Sequence, residues 1–135
     1  MSMKHGLAPS PKTTKYYWGD FLKELRTRTG MTQPELARLS GLTRDDIANY
    51  ERGRAHISVG AAVKIYEALA SKDTSGEALT AAVICAEYNA ELERWNLKKY
   101  EYELKHGARK LEAMKGWVRE AEATEKRLKN LKQSK

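Results

Sequence analysis

The stretch Thr32–Arg54, TQPELARLSGLTRDDIANYERGR, leaves its backbone few ways to fold. Thr32 and Glu35 have the spacing of a capping box, in which the hydroxyl takes a free first-turn amide and the carboxylate reaches back to the Thr32 amide. Pro34 falls in that first turn, where a missing N–H costs little. Gly41, after Ser40, can adopt the left-handed conformation that closes a helix. Thr43 then starts a second helix, with Asp45 and Asp46 favoured by the dipole at its N-terminus. Gly53 ends it. The stretch therefore predicts two short helices joined by a tight turn.

Such a pair, with a short glycine-containing turn, is the local pattern of a helix-turn-helix. From Phe21 to Ala70 the chain resembles the Xre/Cro/C1-type repressors, of prophage or bacterial origin. Gln33, Glu35, Leu36, Ala37, Gly41, Ile47 and the run Glu51-Arg52-Gly53 stand where that family usually has the same residues. The resemblance implies an all-α chain: a five-helix lambda-repressor-like DNA-binding domain, here followed by a long helical, coiled-coil-like C-terminal extension. It also implies that Arg26 pairs with Glu51, locking helix 1 to helix 3, and that Gln33 contacts double-stranded DNA.

Three segments are expected along the chain. Residues 1–14 hold Lys4, His5, Lys12 and two of the three prolines, with almost nothing to bury. They read as a disordered basic arm, either a solvated tail or a segment that settles in a minor groove. Residues 15–72 form the helix-turn-helix domain. Helix 1 is expected over about 15–29, with Tyr16, Tyr17 and Trp18 packing at its start and Phe21, Leu22 and Leu25 on its buried face. Helix 2 (33–40) buries Leu36 and Ala37. Helix 3 (44–52) turns Ile47 and Tyr50 inward, and helix 4 (59–70), capped by Ser58, adds Val63, Ile65, Tyr66 and Leu69.

The outward residues of helix 3 are the candidate base readers. Arg44 can bridge guanine O6 and N7, and Asn49 can pair with adenine N6 and N7. Asp45 departs from the family's usual uncharged residue; it either accepts from cytosine N4 or repels phosphate. Thr43 joins the contact set at the helix start. Arg52 and Arg54, with His56 beyond, stand in the following loop and suit the sugar-phosphate backbone.

Residues 73–135 form the extension, opened by a second capping box at Thr74 and Glu77. From Glu77 to about Leu131 there is no proline, and Ala, Leu, Glu, Lys and Arg dominate. One apolar stripe steps through Ala81, Cys85, Tyr88, Leu92 and Trp95. Another runs Leu97, Tyr100, Leu104, Gly107, Leu111, Met114, Val118, Ala121, Glu125 and Leu128, out of phase with the first by about two residues. The segment is either one rod or a hairpin turning near His106-Gly107. A stripe this long needs a partner, most simply a second copy, so Leu92, Trp95, Tyr100, Leu104, Leu111 and Val118 are the expected dimerisation residues. A protein partner at the same helix is the alternative, as in antitoxins or adaptors that bind DNA for autoregulation; nonspecific DNA compaction is a third reading.

Charge supports a polyanionic partner and is unevenly spread. The 135 residues carry a formal net charge of +7. Residues 73–104 are net acidic, with 3 Lys/Arg against 7 Asp/Glu, while residues 105–135 hold 10 against 4. The basic end reads as a solvated helix face, an extension of the DNA footprint or a site for an acidic protein. A single cysteine, Cys85, excludes an intramolecular disulfide and a cysteine-based zinc site. The three histidines are far apart, and no H-E-x-x-H, phosphate-loop or G-x-S-x-G motif occurs. The expectation is a non-enzyme with no metal or cofactor. Neither a membrane span nor an apolar leader core is present, which points to the cytoplasm and the nucleoid. The function expected is a sequence-specific regulator, a repressor acting as a homodimer on an inverted-repeat operator.

Overall fold

The computed structural model describes residues 19–55, 57–103 and 108–134. Six helices follow in order: α1 (Gly19–Thr29), α2 (Gln33–Ser40), α3 (Arg44–Glu51), α4 (Val59–Ala70), α5 (Glu77–Glu103) and α6 (Ala108–Gln133). No strand occurs among the described residues. The chain is all-α, with a helix-turn-helix unit followed by a long helical region. The N-terminal arm, the Tyr16-Tyr17-Trp18 cluster, His56 and Leu104 lie outside the described residues.

The caps explain where the short helices begin and end. Thr32 Oγ1 accepts from the Glu35 N–H at 3.2 Å, and Gly41 ends α2 at φ 77° with its N–H on the Ala37 carbonyl. The Thr32–Glu35 box is only half made, because the Glu35 carboxylate turns to Lys72 at the end of α4. The hydrogen bond from Lys72 holds the Glu35 carboxyl below its ordinary range. The complete box is at α3, where Asp46 N–H donates to Thr43 Oγ1 at 3.0 Å and Thr43 N–H to Asp46 Oδ2 at 3.2 Å. Ser58 caps α4 through the Ala61 N–H at 3.1 Å. Each such cap contributes about 1 kcal/mol.

At α5 the expected Thr74–Glu77 box is replaced by Asp73. Its carboxylate accepts from the Ala78 N–H at 2.8 Å and the Ser75 N–H at 3.2 Å. Although burial alone would raise it, these donors hold the Asp73 carboxyl below its usual range. Asp73 reaches the helix because Gly76, at φ 82°, folds the chain back over the intervening residues. A box read from spacing alone misses a cap delivered by that fold-back.

One hydrophobic core joins all six helices. Leu22, Leu25, Leu36, Ile47, Ile65, Tyr66 and Leu69 fill its centre, and Phe21 leans on Tyr66 with ring centroids 6.0 Å apart. The first three turns of α5 belong to this core through Ala78, Leu79, Ala81, Ala82, Val83, Cys85 and Ala86. These turns supply the fifth helix of the domain. The core therefore extends past the boundary expected at residue 72.

The two ways of folding the extension are separated by cross-helix pairs. Arg94 meets Glu122 at 2.8 Å, and Lys129 meets Glu87 at 3.7 Å, so α6 runs antiparallel along α5. The two helices form a hairpin, and the turn expected near His106-Gly107 lies outside the described residues. Farther along, Arg127 grips Glu67 of α4 at 2.6 and 3.2 Å, and Leu128 is fully buried in the main core. Met114, Val118 and Ala121 are buried too, and α5 is the element α6 packs against. The two out-of-phase stripes thus belong largely to facing helices of one chain. Among the residues expected to dimerise, Val118 is already covered, while Leu92, Trp95, Tyr100 and Leu111 are half-buried.

Two outcomes follow from this packing. Leu128→Ala should cost about 2–5 kcal/mol in chemical denaturation, as for other fully buried leucines. Burial pushes the Cys85 thiol up to about 12. An unfolded thiol ionises near pH 8.5, so the folded chain holds the proton that the unfolded chain loses. Stability should therefore decline as pH rises above about 8.5, and Cys85 should resist alkylation until the protein unfolds.

Candidate nucleic-acid interface

Three helices converge on one carboxylate. Glu51, at the end of α3, is 7% exposed. Arg26 of α1 grips it with Nε to Oε2 at 2.6 Å and Nη2 to Oε1 at 3.0 Å, while its Nη1 donates to the Met31 carbonyl at 2.9 Å. Gln33, the first residue of α2, donates from Nε2 to Glu51 Oε1 at 3.1 Å. The pair expected from the resemblance is present as a bidentate bridge. Its second donor, Gln33, was not expected in this role.

This network prepares Gln33 for an outside ligand. One amide hydrogen is committed to Glu51, which fixes the rotamer and leaves the other amide hydrogen for an acceptor at the α2 N-terminus. That terminus is electropositive and its first N–H groups lack intrahelical partners. Gln33 shares a shallow cleft with Thr32, Pro34 and Arg44. The fold therefore brings the start of α2 and the start of α3 to one surface.

On α3, Ile47 is fully buried and anchors the helix. The opposite side presents Arg44 and Asp45, both exposed, and Asn49, half-buried one turn on. Thr43 is exposed at the helix start, but its hydroxyl oxygen already serves the cap. What it can still offer is the hydroxyl hydrogen. Arg52 and Arg54 are exposed in the turn after α3, where the Arg54 N–H donates to the Asn49 carbonyl at 2.9 Å. All seven expected contact residues thus fall on α3, its flanks or the adjoining end of α2. Asp45 places one negative charge among three arginines.

A contact absent from the sequence reading sets the tilt of α3. Gly19 starts α1 so close to the end of α3 that a Cβ there would lie 2.0 Å from the Tyr50 carbonyl oxygen and 2.9 Å from Glu51 Cα. Backbone meets backbone, and only glycine fits. No local sequence pattern marks this, since a glycine before a helix ordinarily reads as a start signal. Among the described residues, no group of three or more His, Cys, Asp and Glu could hold a metal ion, and no helix is long and apolar enough to cross a membrane.

Residues 19–79 match the model of the helix-turn-helix domain family, a range that includes α1–α4 and the first turn of α5. Over this range the chain is similar to that family. A 49-residue stretch is 41% identical to the "Putative HTH-type transcriptional regulatory protein TK0539" of Thermococcus kodakarensis. That alignment covers 36% of this chain and 15% of the relative, so the chain spans a small fraction of that protein's length. No solved structure matches the chain.

The Glu51 network makes a quantitative expectation. Arg26→Ala leaves a buried carboxylate short of its main partner and should cost about 3–5 kcal/mol in thermal or urea unfolding. The double variant Arg26→Met/Glu51→Leu should lose less than Arg26→Ala alone, because no uncompensated charge remains. Additive losses would show that the two side chains act independently.

Proposed function

We propose that this chain is a sequence-specific DNA-binding transcriptional regulator that acts as a homodimer on an inverted-repeat operator and represses by occluding a promoter. The observation that carries this reading is the exposure of Arg44, Asp45, Arg52 and Arg54 on and beside an anchored α3, with Gln33 sharing one cleft with Arg44. A helix of this size enters a major groove, where its first residues reach base edges. Arg44 is the guanine reader and Asn49 the adenine reader. Gln33, held by Glu51, takes a phosphate oxygen at the α2 N-terminus, and Arg52 and Arg54 contact the backbone that fixes register.

The formal charge of +7 favours association with a polyanion and makes affinity depend on salt. Asp45 works in the opposite direction. A carboxylate among the base readers repels phosphate wherever it finds no cytosine amine, so it lowers nonspecific affinity and sharpens discrimination. The helix-turn-helix relative from Thermococcus kodakarensis, named as a transcriptional regulatory protein, supports the same class of function.

Selection of bound fragments from a random duplex library at near-physiological salt tests the reading. The expected result is a palindromic consensus; binding without any enriched motif would instead indicate compaction without sequence preference. On the selected operator, Arg44→Ala should lose about 1–3 kcal/mol of discrimination at one base position, whereas Arg54→Ala should weaken all sequences alike. A uniform loss from Arg44→Ala would remove it from the base-reading set.

A further inference from the structure

The geometry points to a second copy of this chain docked on the outward face of α6, antiparallel to it, with the two-fold axis beside Ala123. The inference rests on the dimeric reading above and places the contact on α6, beside the Leu92–Val118 stripe.

Helix α6 has more apolar surface than its own chain covers. Met114, Val118, Ala121 and Leu128 are buried. Trp117 and Leu131 remain 46% and 43% exposed. Fourteen residues separate them, close to four helical turns, so they lie on one side of the helix about 21 Å apart. Between them on that side are Glu120, Ala123 and Arg127, all exposed. Ala123, Arg127, Asn130 and Leu131 line a shallow groove along the helix.

Spacing and charge on this face are self-complementary. A two-fold interface requires that residue i meet residue j and residue j meet residue i. Glu120 and Arg127 lie at equal distances on either side of the Ala123–Thr124 peptide, and so, within half a residue, do Trp117 and Leu131. An antiparallel copy crossing there sets Glu120 level with the partner's Arg127, and Trp117 level with the partner's Leu131. Arg127 uses Nη1 and Nη2 on Glu67, which leaves its Nε edge for the partner's Glu120. Glu120 has no ion pair among the described residues, so its carboxylate is available. Ala123 is small enough for the helices to approach closely where they cross.

Charge along the helix sets the direction. Glu120 and Arg127 are the opposite charges flanking the crossing. Parallel helices would stack the basic ends together. Antiparallel ones set each Arg127 beside the partner's Glu120. Trp117 and the partner's Leu131 then close the apolar contact at both ends of the crossing.

Thr124→Cys in the full-length protein tests the arrangement under mild oxidation, because a residue beside the axis meets its own copy. The wild type, whose single Cys85 is buried, is the control. The expected result is a disulfide-linked dimer from Thr124→Cys and none from Lys115→Cys, which lies half a turn round α6 from Thr124. By sedimentation equilibrium, Glu120→Arg and Trp117→Ala should each weaken the dimer about tenfold or more, with unchanged circular dichroism because both side chains are exposed. A wild-type dimer that ignores both substitutions and gives no Thr124→Cys disulfide would overturn this face while leaving the dimeric reading intact. A wild type that stays monomeric at every concentration would overturn both, and DNA selection would still report on base reading.

Discussion

Burying a carboxylate costs several kcal/mol unless donors surround it, and Glu51 obtains its donors from two other helices. Arg26 contributes a fork from α1 and Gln33 an amide from the start of α2. The carboxylate itself ends α3. Meeting this one electrostatic requirement fixes three helices relative to one another, and Gly19 tightens the arrangement by letting α1 touch the α3 backbone. The placement of Arg44 and Asn49 depends on it, because they ride on the helix that Glu51 anchors. The same atoms thus serve stability and the geometry of the candidate interface.

The second organising constraint lies in α5. Its first three turns complete the core of the helix-turn-helix domain, and the rest extends beyond as one arm of a hairpin. The uneven charge of the extension fits this shape, because the acidic segment that contains α5 lies against the basic segment that contains α6. Arg94–Glu122 and Lys129–Glu87 are exposed, and each contributes little alone. They set direction and register, while Leu128 and its neighbours supply the burial. Arg127 on Glu67 ties the returning helix to α4, so the hairpin is joined to the domain at both its start and its finish.

Much of this was legible along the chain. Thr43, Ser58, Gly41 and Gly53 act within a turn of where they stand, so the limits of α2, α3 and α4 follow from local chemistry. Arg26 with Glu51 was reachable through the family resemblance, since 25 residues separate them and no local rule links them. Gln33 on Glu51, Asp73 on Ala78 and Gly19 under Tyr50 were not reachable. Each depends on where another part of the chain comes to rest, and that position leaves no trace in the spacing of its neighbours.

The extension marks the division most clearly. By itself the sequence determined that 77–131 is helical, which faces are apolar and where charge accumulates, because helix propensity and 3.6-residue periodicity are local properties. It left open what covers the apolar stripes, since a second copy and a returning helix of the same chain satisfy the same pattern. Only the tertiary structure decided this, by laying α6 antiparallel along α5 and seating Leu128 in the main core. Trp117 and Leu131 stay partly exposed, Trp117 at the edge of the cleft between α5 and α6.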